Sequence, residues 1–115
     1  MITNKTKNFK IIEKSKLCTS ISSKAFGLMF HFKKPDYALV FVFNKERRVD
    51  LHMMFVFFPI DVLFLDKNKK IVEIKKDLKP FGYFAPKSTA IYVIELPVGV
   101  IGTTSIGDEI SIDNT

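Results

Sequence analysis

Tryptophan is absent from the chain, arginine occurs only as Arg47 and Arg48, and there is a single cysteine, Cys18. Without tryptophan, the 12 phenylalanines supply the bulk of any core. One cysteine excludes an internal disulfide. With two arginines, the chain has few of the planar forks that bind phosphate in a bidentate way. The soft metal ligands are Cys18, His31 and His52, and no C-x-x-C or H-x-x-x-H spacing joins them, so neither a metal nor any other cofactor is expected. Cys18 with a histidine carries no signature of a catalytic nucleophile. No apolar leader opens the N-terminal stretch M-I-T-N-K-T-K-N-F-K, which predicts a cytoplasmic protein.

What the chain does have is a core. Its 115 residues suit one domain, and 47% are hydrophobic and 13% aromatic; a chain of this size buries about two-thirds of its unfolded surface. The densest stretch is Val49 to Asp66, V-D-L-H-M-M-F-V-F-F-P-I-D-V-L-F-L-D. Asp50, His52 and Asp61 are costly in lipid, and the Phe-Pro-Ile break suits two strands, so no membrane span is predicted. The formal charge of +6 points to an anionic partner. Yet that charge is almost all lysine, spread along the chain as on a solvated surface, which disfavours nucleic acid.

The first eight residues are polar and predicted to fray, leaving 9–115 as a single β domain. Phe9–Glu13 and Lys14–Thr19 read as one strand or a hairpin. Ile21–Leu28, with Ile21, Ala25 and Leu28 on one face, predicts the one short helix. Tyr37–Phe43 is a continuous branched and aromatic run, hence a strand buried on both faces. Asn44–Arg48 reads as a loop or hairpin tip. The core stretch divides at Pro59 into strands over Val49–Phe57 and Asp61–Asp66, because proline has no amide hydrogen for an interior ladder. Lys67–Lys70 is a turn, Ile71–Leu78 a strand, Lys79–Thr89 an irregular loop and Ala90–Leu96 a clear strand. Val98–Ile106 allows a short helix or a wide turn, and Glu109–Ile112 is a final strand. The sum is about six or seven strands in a mainly antiparallel β-sandwich or barrel.

The order of short motifs then becomes informative: Gly27-Leu28-Met29, Ala38 to Phe43, His52-Met53, Phe58 to Asp66, Tyr92 to Gly99 and Gly107-Asp108. Together they resemble the domain of unknown function 192 family, also called uncharacterised protein family 0127, over about residues 17 to 112 and in its archaeal form. The resemblance implies a small, mainly β domain of sandwich or jelly-roll type without an established activity. Where many members carry Trp-Met-Lys-Asn-Thr, this chain has His52-Met53-Met54-Phe55-Val56, so no activity resting on that lysine and asparagine is carried over.

Four further readings concern chemistry. Asp61, set among apolar neighbours at a strand start, is either an acid/base or ligand-binding carboxylate or a hydrogen-bonded structural one, and the structural reading is favoured. Glu95 shares a face with Ile91 and Val93 by alternation. Beside Asp61 it would form the carboxylate pair of a glycoside hydrolase; an edge position facing water or a lysine salt bridge is the plainer expectation. His52 is expected as a hydrogen-bonded imidazole in the core seam and Cys18 as a small hydrophobe. Phe81-Gly82-Tyr83-Phe84, near Lys79 and Lys87, is expected to plug a barrel end; exposed, it would stack bases or bind protein. The leading expectation is a non-catalytic β domain binding a small molecule or a protein through His52, Asp61, Tyr83 and Phe84. A hydrolase built on Asp61 and Glu95 comes second, and weak lysine-driven nucleic-acid binding third.

Overall fold

A computed structural model describes residues 1–18 and 35–113. Among these the chain forms ten strands and no helix: β1 Ile2–Asn4, β2 Phe9–Ile12, β3 Lys14–Cys18, β4 Tyr37–Arg47, β5 Leu51–His52, β6 Ile60–Leu65, β7 Ile71–Leu78, β8 Tyr83–Phe84, β9 Ala90–Pro97 and β10 Ile110–Ile112. They make a five-stranded sheet in the order β3-β4-β9-β6-β7, a three-stranded sheet β10-β1-β2 and a two-stranded pair β5-β8. Every pairing is antiparallel except that of β3 with β4, which is parallel. The five-stranded sheet is open, with β3 and β7 at its edges, so the barrel expectation is corrected. The helix expected over Ile21–Leu28 lies outside the described residues.

The centre of this sheet is apolar on both faces, as the runs at Tyr37–Phe43 and Val62–Leu65 predict. One face carries Leu39, Phe41, Val62, Phe64 and Val93, covered by Met53, Val56 and Phe58. The other carries Ala38, Val40, Leu63, Leu65, Ile94 and Leu96, covered by Ile2, Ile11 and Ile110 of the three-stranded sheet. All six residues of β6 are buried. The β6–β7 hairpin turns where the Asp66 carboxylate accepts the Asn68 and Lys70 amides at 2.8 and 3.0 Å, with Lys69 at φ 61°.

Three boundaries differ from the sequence reading. Residues 1–8 are not frayed: β1 sits between β10 and β2, with Ile2 and Asn4 both 0% exposed. Asn44–Arg47 is not a loop, because β4 runs on past the core and Arg47 pairs with Ala90 beyond an irregularity. Most of Val49–Phe57 is not a strand. Only Leu51 and His52 pair, with Phe84 and Tyr83. Beyond them the chain turns, with Phe55 at φ 57°, and Met53, Val56 and Phe58 point inward from an irregular backbone.

The N-terminus is secured by polar groups. Asn4 Nδ2 donates to Thr104 Oγ1 and Asp108 Oδ2 at 3.0 and 2.9 Å. Lys7 Nζ and the Ser105 amide also reach Asp108, at 2.6 and 2.9 Å. The Lys7 ammonium, the Asn4 amide and the Ser105 N–H hold the Asp108 carboxyl down from 3.8 to about 2. Since the folded value lies below the unfolded one, the stabilisation is present above pH 3.8 and is lost as pH falls through about 2. Thermal unfolding across that acid window should therefore show a steep loss for the natural chain and a flatter profile for Asp108→Ala. Equal acid slopes in the two proteins would contradict this assignment.

Candidate functional site

Asp61 and Glu95 are the two acids on the inner strands β6 and β9. In the β6–β9 ladder Asp61 pairs with Leu96, and Val62 pairs with Glu95. Paired residues share a face and successive residues alternate. Asp61 therefore lies on the face of Leu63, Leu96 and Ile101, and Glu95 on the opposite face with Val62 and Val93. The sheet separates the two carboxyls, and they do not form the pair a hydrolase requires.

Asp61 is 3% exposed and both its oxygens are engaged. Oδ1 accepts the Asp77 amide at 2.8 Å and Oδ2 the Gly99 amide at 3.0 Å. Both donors lie where the backbone is left-handed, Asp77 at φ 54° and Gly99 at φ 94°. One carboxylate thus ties the end of β7 and the turn after β9 to the start of β6. It lines an open depression of ≈ 340 Å³ together with Lys76, Asp77, Val98, Gly99, Ile101 and Gly102.

Glu95 is placed differently. The expectation of an edge position is corrected: β9 is the middle strand of five. Its lateral neighbours are Leu39 of β4 and Val62 of β6. It retains some solvent contact, and among the described residues no hydrogen bond or ion pair partners its carboxyl. Burial raises that carboxyl from 4.5 to about 7. Cys18 is buried on the same face, its thiol pushed up by burial and then by the charge of Glu95. It packs as a small hydrophobe.

The other sequence candidates spread out. His52 is exposed and not in a core seam, because β5 is a two-residue strand that turns Leu51 inward and His52 outward. Of the loop aromatics, Phe84 packs inward at 5.9 Å from Phe64. Tyr83 stays 63% exposed and donates its hydroxyl to Asp50. Phe81 is also exposed, at φ 60°, its ring edge-on to Phe55 and Phe57 at 6.2 and 5.6 Å. His31 lies outside the described residues.

Two groups escaped the sequence reading. Lys16 and Lys75 share the Glu95 face, Lys16 over the Tyr37 ring and Lys75 over the Phe84 ring. Only strand register reveals this, since the two lysines are far apart in the chain. The Asn4–Asp108 cluster was likewise hidden by its separation in sequence.

A profile of the DUF192 family, described as an uncharacterized ACR, matches residues 2–112. A UPF0127 protein of Pyrococcus horikoshii is 41% identical over 102 residues, covering 87% of this chain and 86% of its own. A UPF0127 protein of Thermococcus sibiricus is 39% identical over 114 residues, covering 96% of this chain and 73% of its own. Among solved structures, a candidate transcription regulator of Sinorhizobium meliloti superposes with a TM-score of 0.77 at 26% identity, over 84% of this chain and 79% of that one. A protein of unknown function from Novosphingobium aromaticivorans gives a TM-score of 0.77 at 19% identity, over 85% and 74%, a likeness of fold alone.

If Asp61 acts as the tie between three segments, Asp61→Ala leaves two part-buried amides without their acceptor, and Asp61→Asn opposes one of them with another N–H. Both variants are expected to lose at least about 2 kcal/mol in urea unfolding. A loss under about 0.5 kcal/mol, the range of ordinary surface substitutions, would refute the structural role.

Proposed function

The chain belongs to the DUF192 family of uncharacterised proteins, and from that premise we propose a small non-catalytic ligand-binding β domain of sandwich type, its site being the Glu95 face of the five-stranded sheet. The observation that carries this reading is the state of Glu95. A carboxyl on the middle strand, between Leu39 and Val62, without a partner among the described residues, lowers the stability of the fold that holds it. Groups kept at such a cost cluster where a ligand or substrate supplies the missing partner. The packing of the three-stranded sheet over the opposite face supports the sandwich arrangement. The single unpaired thiol, Cys18, suits a cytoplasmic location.

This moves the binding site away from Asp61, whose oxygens are taken up by amides, and away from the exposed His52 and Tyr83. Phe84 stays in the reading as part of the apolar wall. A two-carboxylate hydrolase is less well supported, since its acids stand about 5–9.5 Å apart across one open cleft. Nucleic-acid binding is also less well supported, because Lys5, Lys7, Lys10, Lys14 and Lys79 are each matched by an acid.

The test follows from the sign of the Glu95 shift. Its folded value, about 7, lies above the unfolded 4.5, so the folded chain binds the extra proton and loses stability as pH rises from 4.5 through about 7. Glu95→Gln removes that loss. The variant is expected to match the natural chain below pH 4.5 and to exceed it at pH 8 by up to about 3 kcal/mol in denaturant unfolding. A variant less stable than the natural chain at pH 8 would mark Glu95 as a structural group and remove the ground for this site.

A further inference from the structure

Among the described residues seven large apolar side chains are strongly exposed, and five of them gather in one place: Met54, Phe55, Phe57, Phe81 and Tyr83, each 41 to 63% exposed. They come from the two segments 50–58 and 77–84, which turn Met53, Val56, Phe58 and Phe84 into the core. The Phe81 ring is edge-on to both Phe55 and Phe57, which places it at the centre of the patch. Phe55 and Phe81 are both left-handed, at φ 57° and 60°, a conformation that bulky side chains rarely adopt. Backbone bonds hold them there. The Met53 amide donates to Gly82 O at 2.7 Å, the Phe81 amide to Met53 O at 2.8 Å and the Gly82 amide to Lys79 O at 3.0 Å. A Cβ on residue 82 would stand 2.9 Å from Lys79 O, so the turn requires its glycine. The rings are thus presented on a fixed backbone, which lowers the ordering cost of an association.

Area and charge decide what this patch fits. Five side chains about half exposed, at about 150–250 Å² for a whole aromatic one, offer on the order of 500 Å². That is near the top of the roughly 300–600 Å² found for the largest patch of a typical monomer. Two such patches face to face bury about 1,000 Å² before any rim is counted, the size at which a specific contact begins. The chain carries a formal charge of +6, yet the patch does not share it. Segments 50–58 and 77–84 hold two carboxylates, Asp50 and Asp77, against one ammonium, Lys79. Asp50 accepts the Tyr83 hydroxyl at 2.5 Å, and Lys79 is paired with Asp77 at 2.5 Å. An anionic membrane or an acidic partner calls for a ring of free cations, and these segments lack one. A surface of nearly neutral rim can meet its own copy without like-charge repulsion.

We propose that this aromatic patch is a self-association surface, joining two copies of the chain about a two-fold axis that passes near Phe81. In such a contact both copies offer the same residues, so one patch suffices for a closed dimer. Aromatic rings and methionine are the side chains enriched in the cores of interfaces. The contact uses the outer side of the two segments and stands independently of the reading of Glu95.

Sedimentation equilibrium of the full chain, from about 5 to 500 µM, tests the proposal. A reversible monomer–dimer equilibrium is expected, of the weak affinity that belongs to an interface at the low end of area. Phe81→Asn removes the central ring while keeping a residue that adopts the left-handed conformation, so its fold is expected to persist. It should weaken the dimer by at least about tenfold, and Met54→Ser should weaken it as well. Ile106→Ser, which removes an exposed side chain outside the patch, should leave association unchanged. About 1 M sodium chloride should not dissociate the dimer, because its core is apolar. A chain that stays monomeric throughout, a dimer that both Phe81→Asn and Met54→Ser leave intact, or one that salt dissociates would overturn the proposal. So would a monomer that co-sediments, through Phe81, with vesicles of equal parts phosphatidylglycerol and phosphatidylcholine, which would mark the patch as membrane-facing.

Discussion

Burial of β9 and β6 on both faces is the constraint on which the molecule depends. These strands lie inside the five-stranded sheet, and Val62, Leu63, Phe64, Leu65, Val93 and Ile94 are all 1% exposed or less. Their backbone groups are paired in the ladders, so their side chains meet protein above and below. A polar side chain in that region must either find partners within the fold or remain incompletely solvated.

Asp61 and Glu95 are handled in opposite ways although they occupy adjacent rungs. Asp61 lies near the end of β6, where the chain leaves β7 and β9 in left-handed turns, and amides freed by those turns supply its two hydrogen bonds. Glu95 lies further along β9, where its neighbours' backbone groups are committed to the ladders and the side chains beside it are Leu39 and Val62. The end of a strand offers free donors, and the middle of a sheet does not. Their contrast is therefore positional: two carboxylates of similar chemistry, one satisfied by turn geometry and the other left open by sheet geometry.

The same logic explains what the sequence disclosed and what it concealed. Runs such as Tyr37–Phe43 and Val62–Leu65 are apolar at both parities, and this alone identifies interior strands. Alternation also placed Glu95 on the face of Val93. The position of β9 in the sheet was not legible, because strand order is a long-range property; hence the expectation of an exposed edge for Glu95. Val49–Phe57 misled because Met53, Val56 and Phe58 fill the core from an irregular backbone, and composition does not distinguish that from a strand. The N-terminal strand was missed for a different reason. Its anchors, Asn4 to Thr104 and Asp108, join residues about a hundred positions apart.

The two faces of the central sheet have consequently taken different parts. On one, the three-stranded sheet closes the core, and both acid clusters centred on Asp61 and Asp108 are fully hydrogen-bonded, so polar groups there add order. On the other, coverage comes from irregular segments. Phe55 and Phe81 are held in left-handed backbone conformations that cost about 1–2 kcal/mol per residue. Backbone bonds from Met53 N to Gly82 O and from Phe81 N to Met53 O, at 2.7 and 2.8 Å, hold the two segments together against that strain. Left-handed backbone occurs on both sides, at Phe55 and Phe81 here and at Asp77 beside Asp61, so the two faces differ in their acids: hydrogen-bonded on the side of Asp61 and Asp108, partnerless among the described residues at Glu95.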